Sequence, residues 1–521
     1  MLRVSNIKVN YKEDQNLSIK NKLKKIFKRD INEYKINKKS IDARDKSNIL
    51  FVYTIDISIE NEDKYISDNI RKIGDESYKF DITGTKEITN RPVVVGFGPA
   101  GIFLSYMLAK YGYKPLIIER GKSIDERVED VENFFKTNEL NPNSNIQFGE
   151  GGAGTFSDGK LNTLTKDENF RTKKVFEIFV ENGAPEEILY DYKPHIGTDI
   201  LRTVIKNIRN KIIDMGGTIK YSTQLSNINI ENGKVESIII NASEEIKCDS
   251  LFLCIGHSAR DTFYMLNDNK LDMKAKPFAV GIRIIHNRED INKAMFGDAD
   301  FNILGTASYK LTYKSTSGRG VYSFCMCPGG YVVNASSELN RLAINGMSNY
   351  DRLSNSSNSA IVVTVSPDDF GNNIFDGIEY QRKLEEKAYS IGKGFIPTQL
   401  YKDYINNNIS NEYRNIIPEV KGNTTFSDLN ELFPKYINES LKEAIPYFGT
   451  KIKGYDNPDS VMMGIESRTS SPVTIIRDEN HESNIKGVYP VGEGAGYAGG
   501  ITTAAVDGIK TFEKYASIYR P

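Results

Sequence analysis

Apolar and polar positions follow one another along the chain in a pattern that predicts a parallel sheet with helices against it. Residues 93–95 form a β-branched run, and apolar residues at helical spacing follow from Ile102. A second unit of this kind is predicted near the end of the chain, with a strand at 488–491 and a helix at 501–515. Residues 251–255 are apolar throughout, as in a parallel strand covered on both faces. The pattern therefore predicts an α/β fold.

The segments between these two units predict further elements. A helix is expected from an N-cap at Thr198–Asp199 to Met215, and short antiparallel strands with a turn at Asn232–Gly233 follow over residues 218–241. The mixed stretch beyond residue 257 predicts strands at 278–285 and 361–365, a hairpin at 320–335 turning at 328–330, and helices at 379–389 and 432–447.

Residues 1–88 are expected to form a separate small unit. Strands at 2–10, 34–37 and 49–58 and a helix at 18–28 predict an α+β domain of the ferredoxin-like kind. Its first 60 residues hold 14 Lys and Arg against 8 Asp and Glu. A solvated lysine-rich face explains this excess, and a surface for RNA or an acidic partner is the alternative.

The chain therefore divides into four segments. We expect the small N-terminal domain at 1–88, the first part of a nucleotide-binding domain at 89–256, an inserted substrate domain of mixed α+β structure at 257–480, and the return of the nucleotide-binding domain at 481–521.

The first strand–turn–helix unit carries glycines at the spacing of a dinucleotide-binding turn. Gly96 allows the sharp turn, Gly98 lets the backbone approach a pyrophosphate, and Gly101 lets helix and strand pack closely. Pro99 suits the first helical position, and the free N–H groups of that first turn would face the phosphates.

Glu119 stands 23 positions after Gly96, at the end of the next predicted strand. A carboxylate there can accept hydrogen bonds from the ribose hydroxyls of an adenosine, and it would repel a ribose 2′-phosphate. A glycine-rich turn in any α/β protein is the alternative. The strand, the helix and the acid together favour a bound dinucleotide.

A second glycine-rich stretch, residues 147–161, holds five glycines between positions 149 and 159. Such a loop, with Gly152 and Gly154 near its centre, presents backbone N–H groups to a flat ring or to phosphates. A flexible surface loop is the alternative, but Phe148 and Phe156 give this loop side chains to bury. We expect it to contact a cofactor or a substrate.

The C-terminal unit has its own glycine-rich turn, residues 492–500, with Glu493 directly after the strand. In a flavin-binding turn, this acid hydrogen-bonds the ribityl or pyrophosphate end of FAD, and the following helix directs its N-terminus at the flavin N1–C2=O edge. Two glycine turns at opposite ends of the chain fit FAD, which spans both, better than NAD, which needs one.

Composition indicates an ordinary globular protein and argues against several other classes. The 521 residues are 26% charged and 39% hydrophobic, and a formal net charge of −1 gives no overall attraction to nucleic acid or anionic lipid. The start of the chain lacks the apolar core of a signal peptide, and no run of about 18 apolar residues occurs. We therefore expect a cytoplasmic protein without a membrane partner.

The cysteines at 248, 254, 325 and 327 are too scattered for a disulfide framework. The absence of C-x-x-C argues against a disulfide reductase of the glutathione or thioredoxin reductase kind. Cys325 and Cys327 would share one face of a strand, either as small buried side chains, which is the favoured interpretation, or as a redox pair. Four histidines without ligand spacing predict no metal site.

Five motifs together give the sequence a family resemblance. They are Val-Gly-Phe-Gly-Pro-Ala-Gly (95–101), Phe-Gly-Glu-Gly-Gly-Ala-Gly-Thr-Phe-Ser-Asp-Gly-Lys-Leu (148–161), Phe-Cys-Met-Cys-Pro-Gly-Gly (324–330), Glu-Ser-Arg-Thr-Ser-Ser-Pro-Val (466–473) and Gly-Glu-Gly-Ala-Gly-Tyr-Ala-Gly-Gly-Ile (492–501). The chain resembles, over nearly its whole length, FAD-dependent dehydrogenases of glutathione-reductase-like flavin fold whose substrates are largely unassigned. The resemblance implies a three-layer FAD domain, FAD bound without a covalent link, and redox chemistry at its ring.

Hydride transfer needs a substrate carbon near flavin N5, polar anchors and a group that exchanges a proton. Arg468 is the candidate anchor for an anionic or carbonyl substrate, with an ion pair to Glu466 as the alternative. Lys160 would stabilise negative charge near the flavin, or it is a surface lysine. Tyr497 would face the ring or donate a proton, or it packs under the turn. His195 is a further candidate for substrate contact.

These observations favour an FAD-dependent oxidoreductase that transfers a hydride between flavin N5 and a small-molecule substrate, with NADH or NADPH as a transient donor. One alternative is a flavin enzyme that reduces or modifies a base in RNA, docked through the N-terminal domain. Another is a flavin-binding regulatory protein without turnover. The predicted cofactor-binding residues are Gly96, Gly98, Pro99, Ala100, Gly101, Glu119, Arg120, Gly152, Gly154, Thr155, Gly256, Gly492, Glu493, Gly499, Gly500 and Ile501.

Overall fold

A computed structural model describes residues 1–163 and 165–521. The N-terminal unit contains β1 (Leu2–Asn10), α1 (Gln15–Phe27), β2 (Lys35–Asp42), β3 (Leu50–Ile57) and β4 (Ile70–Lys72). Its sheet is antiparallel with the order β2-β3-β1-β4. A 3₁₀ turn, Glu62–Tyr65, lies between β3 and β4, where a βαββαβ unit has its second helix.

The N-terminal unit packs against both the nucleotide-binding domain and the inserted domain. The Lys39 N–H donates to the Tyr190 carbonyl at 2.8 Å, and the Tyr192 N–H donates to the Lys39 carbonyl at 2.9 Å, so a loop of the nucleotide-binding domain extends the edge of β2. The Lys38 ammonium lies 4.7 Å from the centre of the Tyr192 ring. Part of the basic surface of this unit therefore contacts the nucleotide-binding domain.

The nucleotide-binding domain is built on a five-stranded parallel sheet. The first part of this domain comprises β5 (Lys86–Glu87), β6 (Val93–Val95), α2 (Pro99–Lys110), β7 (Leu116–Ile118), α3 (Ile124–Thr137), α4 (Arg171–Glu181), α5 (Thr198–Asp214), β8 (Thr218–Lys220), β9 (Leu225–Glu231), β10 (Lys234–Ile240), β11 (Glu244–Lys247), β12 (Leu251–Leu253) and α6 (Arg260–Asp268).

The chain returns to the parallel sheet after an inserted domain. This domain lies between the two parts of the nucleotide-binding domain, spans residues 273–466 and is called the C-terminal domain below. Its elements are β13 (Met273–Ala275), β14 (Phe278–Asn287), α7 (Arg288–Phe296), α8 (Phe301–Leu304), β15 (Thr312–Lys314), β16 (Gly320–Cys327), β17 (Tyr331–Asn334), β18 (Ile344–Met347), β19 (Ser356–Val365), α9 (Pro367–Phe370), α10 (Asp376–Ile391), β20 (Ile396–Leu400), α11 (Tyr401–Asn406), β21 (Val420–Lys421), β22 (Thr424–Phe426), α12 (Lys435–Lys451) and β23 (Val461–Glu466). The return comprises β24 (Val473–Ile475), β25 (Val488–Pro490), α13 (Ile501–Ala516) and β26 (Tyr519–Arg520).

The parallel sheet has the order β25-β12-β6-β7-β8, which places the two ends of the chain's sequence side by side. Because side chains alternate along a strand, Val94 and Ile117 pack against α2, α5 and α13, whereas Val93 and Leu253 pack against the opposite layer. That layer is the antiparallel meander β9–β11 together with α6. The result is a sandwich of helices, parallel sheet and meander.

The C-terminal domain has a seven-stranded sheet, β15-β16-β19-β14-β23-β20-β22, and a three-stranded sheet, β18-β17-β21. The predicted hairpin over 320–335 is wrong, since β16 and β17 belong to different sheets. Both edges of β16 are already paired, with β15 and with β19, so the chain cannot fold back beside it. The turn at 328–330 instead carries the chain across to the second sheet.

The predicted N-cap of the helix at 198 is also wrong. Gly197 precedes α5, and the Thr198 hydroxyl donates to the Thr155 carbonyl at 2.6 Å. The Asp199 carboxylate accepts from the Tyr350 N–H at 2.9 Å. Both side chains therefore join separate loops to the helix start.

We expect three histidines to lower the free energy of unfolding as the pH drops from about 6.5 to about 4. Burial is the main cause that lowers the pKa of His195, His286 and His481 to about 4. Between the two values the unfolded chain binds more protons than the folded one, so acid favours unfolding, by up to about 1.4 kcal/mol per pH unit for each histidine.

Urea unfolding of the wild type and of His286→Gln, at several pH values in this window, measures the effect. Glutamine keeps an N–H for the Tyr455 carbonyl, which His286 Nε2 contacts at 2.7 Å, but it does not titrate. The variant should lose stability less steeply with falling pH. Parallel pH profiles for the two proteins would contradict the assignment.

Candidate functional site

The first glycine turn is tightly packed against the end of the parallel sheet. Gly96 has φ +96°, and a Cβ there would lie 2.4 Å from the Cys254 carbonyl oxygen. A Cβ on Gly101 would lie 2.0 Å from the Gly96 carbonyl oxygen. A Cβ on Gly98, by contrast, would meet its nearest atom, Gly152 Cα, at 3.6 Å. The first two positions are constrained by packing of the protein, whereas a Cβ on Gly98 would make only an ordinary van der Waals contact.

Glu119 connects this turn to the glycine-rich loop. Its buried carboxylate accepts from the Phe97 N–H at 2.8 Å and from the N–H groups of Gly121 and Gly149 at 2.9 Å each. Further lone pairs remain on the two oxygens, so ribose hydroxyls can still donate to them. The neighbouring Arg120 pairs with Asp261 at 2.7 Å.

The glycine-rich loop is held from its other side by Arg127, which is fully buried. The guanidinium donates to the carbonyls of Asn145, Ile146, Gly149 and Glu150. The loop then forms a 3₁₀ helix, Gly152–Phe156. Phe148 and Phe156 are buried as the sequence predicts, and the loop has a fixed backbone.

The second glycine turn lies directly beside the first. A Cβ on Gly492 would come within 2.7 Å of the Ala100 Cβ. The Gly492 N–H donates to Asp507 of α13 at 2.8 Å, and Asp507 pairs with Arg477 at 2.7 Å. Two turns separated by almost 400 positions in sequence are thus in contact, and the helices α2 and α13 both begin at this point.

One cavity of about 560 Å³ lies over these turns and extends to the C-terminal domain. The predicted residues that line it are Gly96, Gly98, Pro99, Ala100, Glu119, Arg120, Gly152, Gly154, Lys160, Gly256, Arg468, Glu493, Gly499, Gly500 and Ile501. Phe324, Cys325 and Asn345 of the C-terminal domain complete its far wall.

Four predicted residues lie outside this lining. Gly101 and Gly492 are packing positions between helix, strand and turn. Thr155 is buried beneath the loop, where its hydroxyl donates to the Glu150 carbonyl at 3.2 Å. The Tyr497 hydroxyl donates to the Ile475 carbonyl at 3.1 Å, and its ring lines a neighbouring cavity of about 370 Å³.

Arg468 is 5% exposed and forms a two-point ion pair with Glu385, with both N–O distances 3.0 Å. Arg260 pairs with the same carboxylate at 2.9 Å. Burial disfavours the Glu385 carboxylate, but these two guanidinium groups hold its pKa well below its ordinary value. Glu466, the alternative partner in the sequence prediction, pairs instead with Arg283 at 2.8 Å.

Lys160 lies at the same end, with 28% of its side chain exposed. Its Nζ is 3.2 Å from Asp158 Oδ2. Burial disfavours the ammonium, but Asp158 and the two nearby thiols outweigh that effect and raise the pKa of Lys160. Burial likewise disfavours the Asp158 carboxylate, yet Lys160 and Arg352 lower its pKa to about 2. Lys160 is therefore a charged residue at the cavity wall.

His195, the histidine predicted to contact substrate, is in contact with Tyr350. His195 Nε2 contacts the Tyr350 carbonyl at 2.9 Å, and the two rings stack at 5.2 Å.

His257 is a site residue that the sequence pattern did not single out. It lies in the cavity wall and is buried, and among the described residues neither ring nitrogen has a hydrogen-bond partner. Glu493 Oε1 is 3.1 Å from Nδ1 but outside hydrogen-bond geometry. Its position directly after Gly256, at the end of β12, was the available signal, because ligands bind at the carboxyl ends of parallel strands.

Among the described residues, no group of three or more His, Cys, Asp or Glu side chains is arranged to hold a metal ion. None of the described helices has the length and apolar character needed to cross a bilayer.

Comparison with known proteins gives a close relative and two domain matches. An uncharacterized protein of Clostridium beijerinckii (strain ATCC 51743 / NCIMB 8052) is 47% identical over 529 residues, which covers 98% of each chain. A family model described as "FAD-dependent protein, C-terminal domain-like" matches residues 277–469, and a domain of unknown function matches residues 1–58.

Solved structures give weaker matches. Quinol fumarate reductase of E. coli aligns over 83% of this chain and 70% of its own, with 10% identity and a TM-score of 0.38. L-proline dehydrogenase of P. horikoshii aligns over 82% of this chain and 93% of its own, with 14% identity and a TM-score of 0.33. These scores are too low to support an argument. The sequence matches show that this chain belongs to one family with the Clostridium beijerinckii protein, and that its residues 277–469 match the C-terminal domain of FAD-dependent proteins.

Proposed function

We propose that this protein is an FAD-dependent oxidoreductase that transfers a hydride between FAD and a small-molecule substrate. The observation that carries the proposal is the continuity of one cavity of about 560 Å³ from both glycine turns to the C-terminal domain. A cofactor on the turns and a substrate against the far wall would share that space, as binding sites between domains commonly allow.

The backbone at the glycine turns fits the charge of FAD. The cavity wall includes Pro99, the first residue of α2, and Ile501, the first residue of α13. First-turn N–H groups have no acceptor within their own helix, and the helix dipole makes each N-terminus positive. Both ends suit anionic groups, one for a pyrophosphate and one for the edge of a flavin ring.

The side chains around the turns fit the hydroxyl groups of FAD. Glu119 would hold the adenosine ribose, and Glu493 with His257 would hold hydroxyls of the ribityl chain. The unpartnered nitrogens of His257 support this assignment, because a buried polar atom without a partner costs about 1–3 kcal/mol. Bound FAD supplies a centre that takes up or gives out two electrons with a hydride.

At the end of the cavity proposed for the substrate, ion pairs position two cationic side chains, Arg468 and Lys160. Four of the five N–H groups of Arg468 donate to Glu385, Ser258 and Ser337, so its orientation is fixed and one N–H is left for a substrate carbonyl or carboxylate. Lys160 Nζ would hold a proton near the developing negative charge on a substrate oxygen. We assign Arg468 to anchoring and Lys160 to charge stabilisation.

The smaller cavity is the proposed entry for NADH or NADPH. It shares Gly499 and Thr503 with the larger cavity. Three lysines line it, namely Lys166, Lys276 and Lys510, together with Tyr497. Its two acids, Asp167 and Asp507, pair with Arg171 and Arg477. Ammonium groups around such a space attract the pyrophosphate of a nicotinamide dinucleotide. Tyr497 would then contact the donor.

The proposal predicts that the purified protein contains FAD or takes it up, and that NADH or NADPH bleaches the flavin band under anaerobic conditions. Absorbance after addition of each donor measures this. A protein that stays colourless with added FAD contradicts the cofactor. Photoreduced flavin that oxygen reoxidises, while a panel of metabolites and disulfides does not, would favour a flavin-binding protein without turnover.

Gly98→Ala should weaken FAD binding by at least about tenfold, equivalent to about 1.4 kcal/mol, because a methyl group would stand where the backbone approaches the pyrophosphate. The protein itself has room for this methyl group, since its nearest neighbour is 3.6 Å away. Fluorescence titration of the apoprotein with FAD measures the loss. Gly74→Ala is the control, because a Cβ there meets nothing within 4 Å. Equal affinities in both variants would contradict the placement.

Lys510→Met should raise the KM for the nicotinamide donor by about tenfold, because each ion contact to a pyrophosphate contributes about 1.5 kcal/mol or more. Lys514→Met is the matched control, since Lys514 lies one turn further along α13, is exposed and does not line either cavity. Steady-state rates over a range of donor concentrations give both values. A similar KM for the two variants would place the donor elsewhere.

A further inference from the structure

The segment Cys325-Met326-Cys327 forms a bulge in the wall of the large cavity. Phe324 pairs with Ala360 of β19 and Cys327 pairs with Asn358, so β16 contains one extra residue here. Cys325 has φ +42°, in the left-handed region that non-glycine residues rarely adopt. The bulge places Cys325 in the cavity wall and leaves Cys327 fully buried behind it.

The bulge also turns the Cys327 side chain toward residue 325. The Cys327 thiol lies 3.3 Å from the Cys325 carbonyl oxygen, so its side chain folds back over residue 325. Two cysteines on a regular strand would share a face without this contact.

Two cations lie beside this pair. Lys160 Nζ is 3.9 Å from Cys327 Sγ, and buried Arg283 donates to the Cys325 carbonyl at 3.1 Å. The hydrogen bond from Cys327, with the charges of Lys160 and Arg283, holds the pKa of Cys325 well below its ordinary value. The same hydrogen bond and burial raise the pKa of Cys327. One thiolate next to one thiol is the arrangement of a reactive cysteine pair.

The other two cysteines of the chain lack these features. Cys248 and Cys254 are buried, and burial raises the pKa of both, to about 12 for Cys248. They provide an internal comparison for any test of thiol chemistry.

We propose that Cys325 and Cys327 are a reversible dithiol–disulfide couple that exchanges two electrons with flavin bound in the same cavity. The inference rests on the proposed function in that flavin is the electron partner. In the oxidative direction, the Cys325 thiolate and the Cys327 thiol form an S–S bond, release one proton, and pass two electrons to oxidised flavin. In the reverse direction reduced flavin returns the two electrons, the S–S bond breaks, and Cys327 takes up the proton. The matching substrate class is a dithiol or a disulfide.

The couple is tested first by mass spectrometry of the full-length protein equilibrated in mixtures of reduced and oxidised dithiothreitol. After the free thiols are blocked and the protein is digested with trypsin, residues 320–341 form one peptide with both cysteines. Residues 248–260 form a second peptide, with Cys248 and Cys254. The first peptide should lose two hydrogen atoms reversibly as the mixture becomes oxidising, and the second should remain a dithiol. If residues 320–341 stay reduced throughout the series, the inference is wrong.

Exchange with flavin is tested by anaerobic titration of the oxidised, FAD-loaded protein with dithionite. The wild type should consume twice as much reductant per bound flavin as Cys327→Ser, because the disulfide and the flavin each take two electrons. Cys248→Ser should match the wild type. Equal consumption by the wild type and Cys327→Ser would overturn the exchange.

Failure of this inference can be told apart from failure of the proposed function. FAD content is measured before the titration, and a protein without FAD removes the proposed function whatever the peptides show. A protein that holds reducible FAD while residues 320–341 remain a dithiol keeps the proposed function and loses the cysteine couple.

Discussion

The site depends on two buried charged side chains, Glu119 and Arg127, which form hydrogen bonds with backbone groups on opposite sides of the glycine-rich loop. Glu119 accepts hydrogen bonds from N–H groups of the first glycine turn and of Gly149, and Arg127 donates hydrogen bonds to carbonyl groups of residues 145–150. Burial lowers the pKa of Arg127 to about 9, and the Glu119 charge opposes that effect. Since an unpaired buried charge is strongly unfavourable, the loop cannot leave either ion without a large loss of stability. A glycine-rich segment with little intrinsic rigidity is thereby fixed over the sheet.

A second ionic network fixes the opposite wall of the cavity. Glu385 on α10 receives Arg260 from the nucleotide-binding domain and Arg468 from the segment after β23. The three residues come from distant parts of the sequence, so their pairing joins the two domains at the point where substrate would bind. Each guanidinium is almost fully buried, and removal of the shared carboxylate would take the ionic partner from Arg468 and leave Arg260 with Glu338 alone. The geometry of the substrate end is therefore tied to the contact between domains.

Much of the cofactor side could be predicted from sequence because its signals are local. A strand, a glycine turn and a helix occupy the eighteen consecutive residues 93–110, and steric limits at Gly96 and Gly101 translate directly into spacing. Four of the five parallel strands were predicted for the same reason, since their apolar runs are continuous. The prediction for β8 (Thr218–Lys220) was wrong, because the sequence pattern assigned it to the antiparallel strands that follow, whereas it pairs in parallel with β7. The misplaced hairpin shows the limit of such signals: a turn at 328–330 is visible, but the occupied edges of β16 depend on β15 and β19.

The substrate side could not be predicted because its determinants are long-range. Arg468 has an acid two positions earlier in the sequence, yet its partner is Glu385, and no local pattern distinguishes the two carboxylates. The reason is geometric: Glu466 on β23 lies beside β14, and Arg283 of β14 already pairs with it. The same Arg283 also reaches Cys325, so one buried cation links the ion pairs of the sheet to the cysteine bulge. The chemistry of this wall therefore depends on which charged side chains the sheet buries next to one another. The order of the strands determines that.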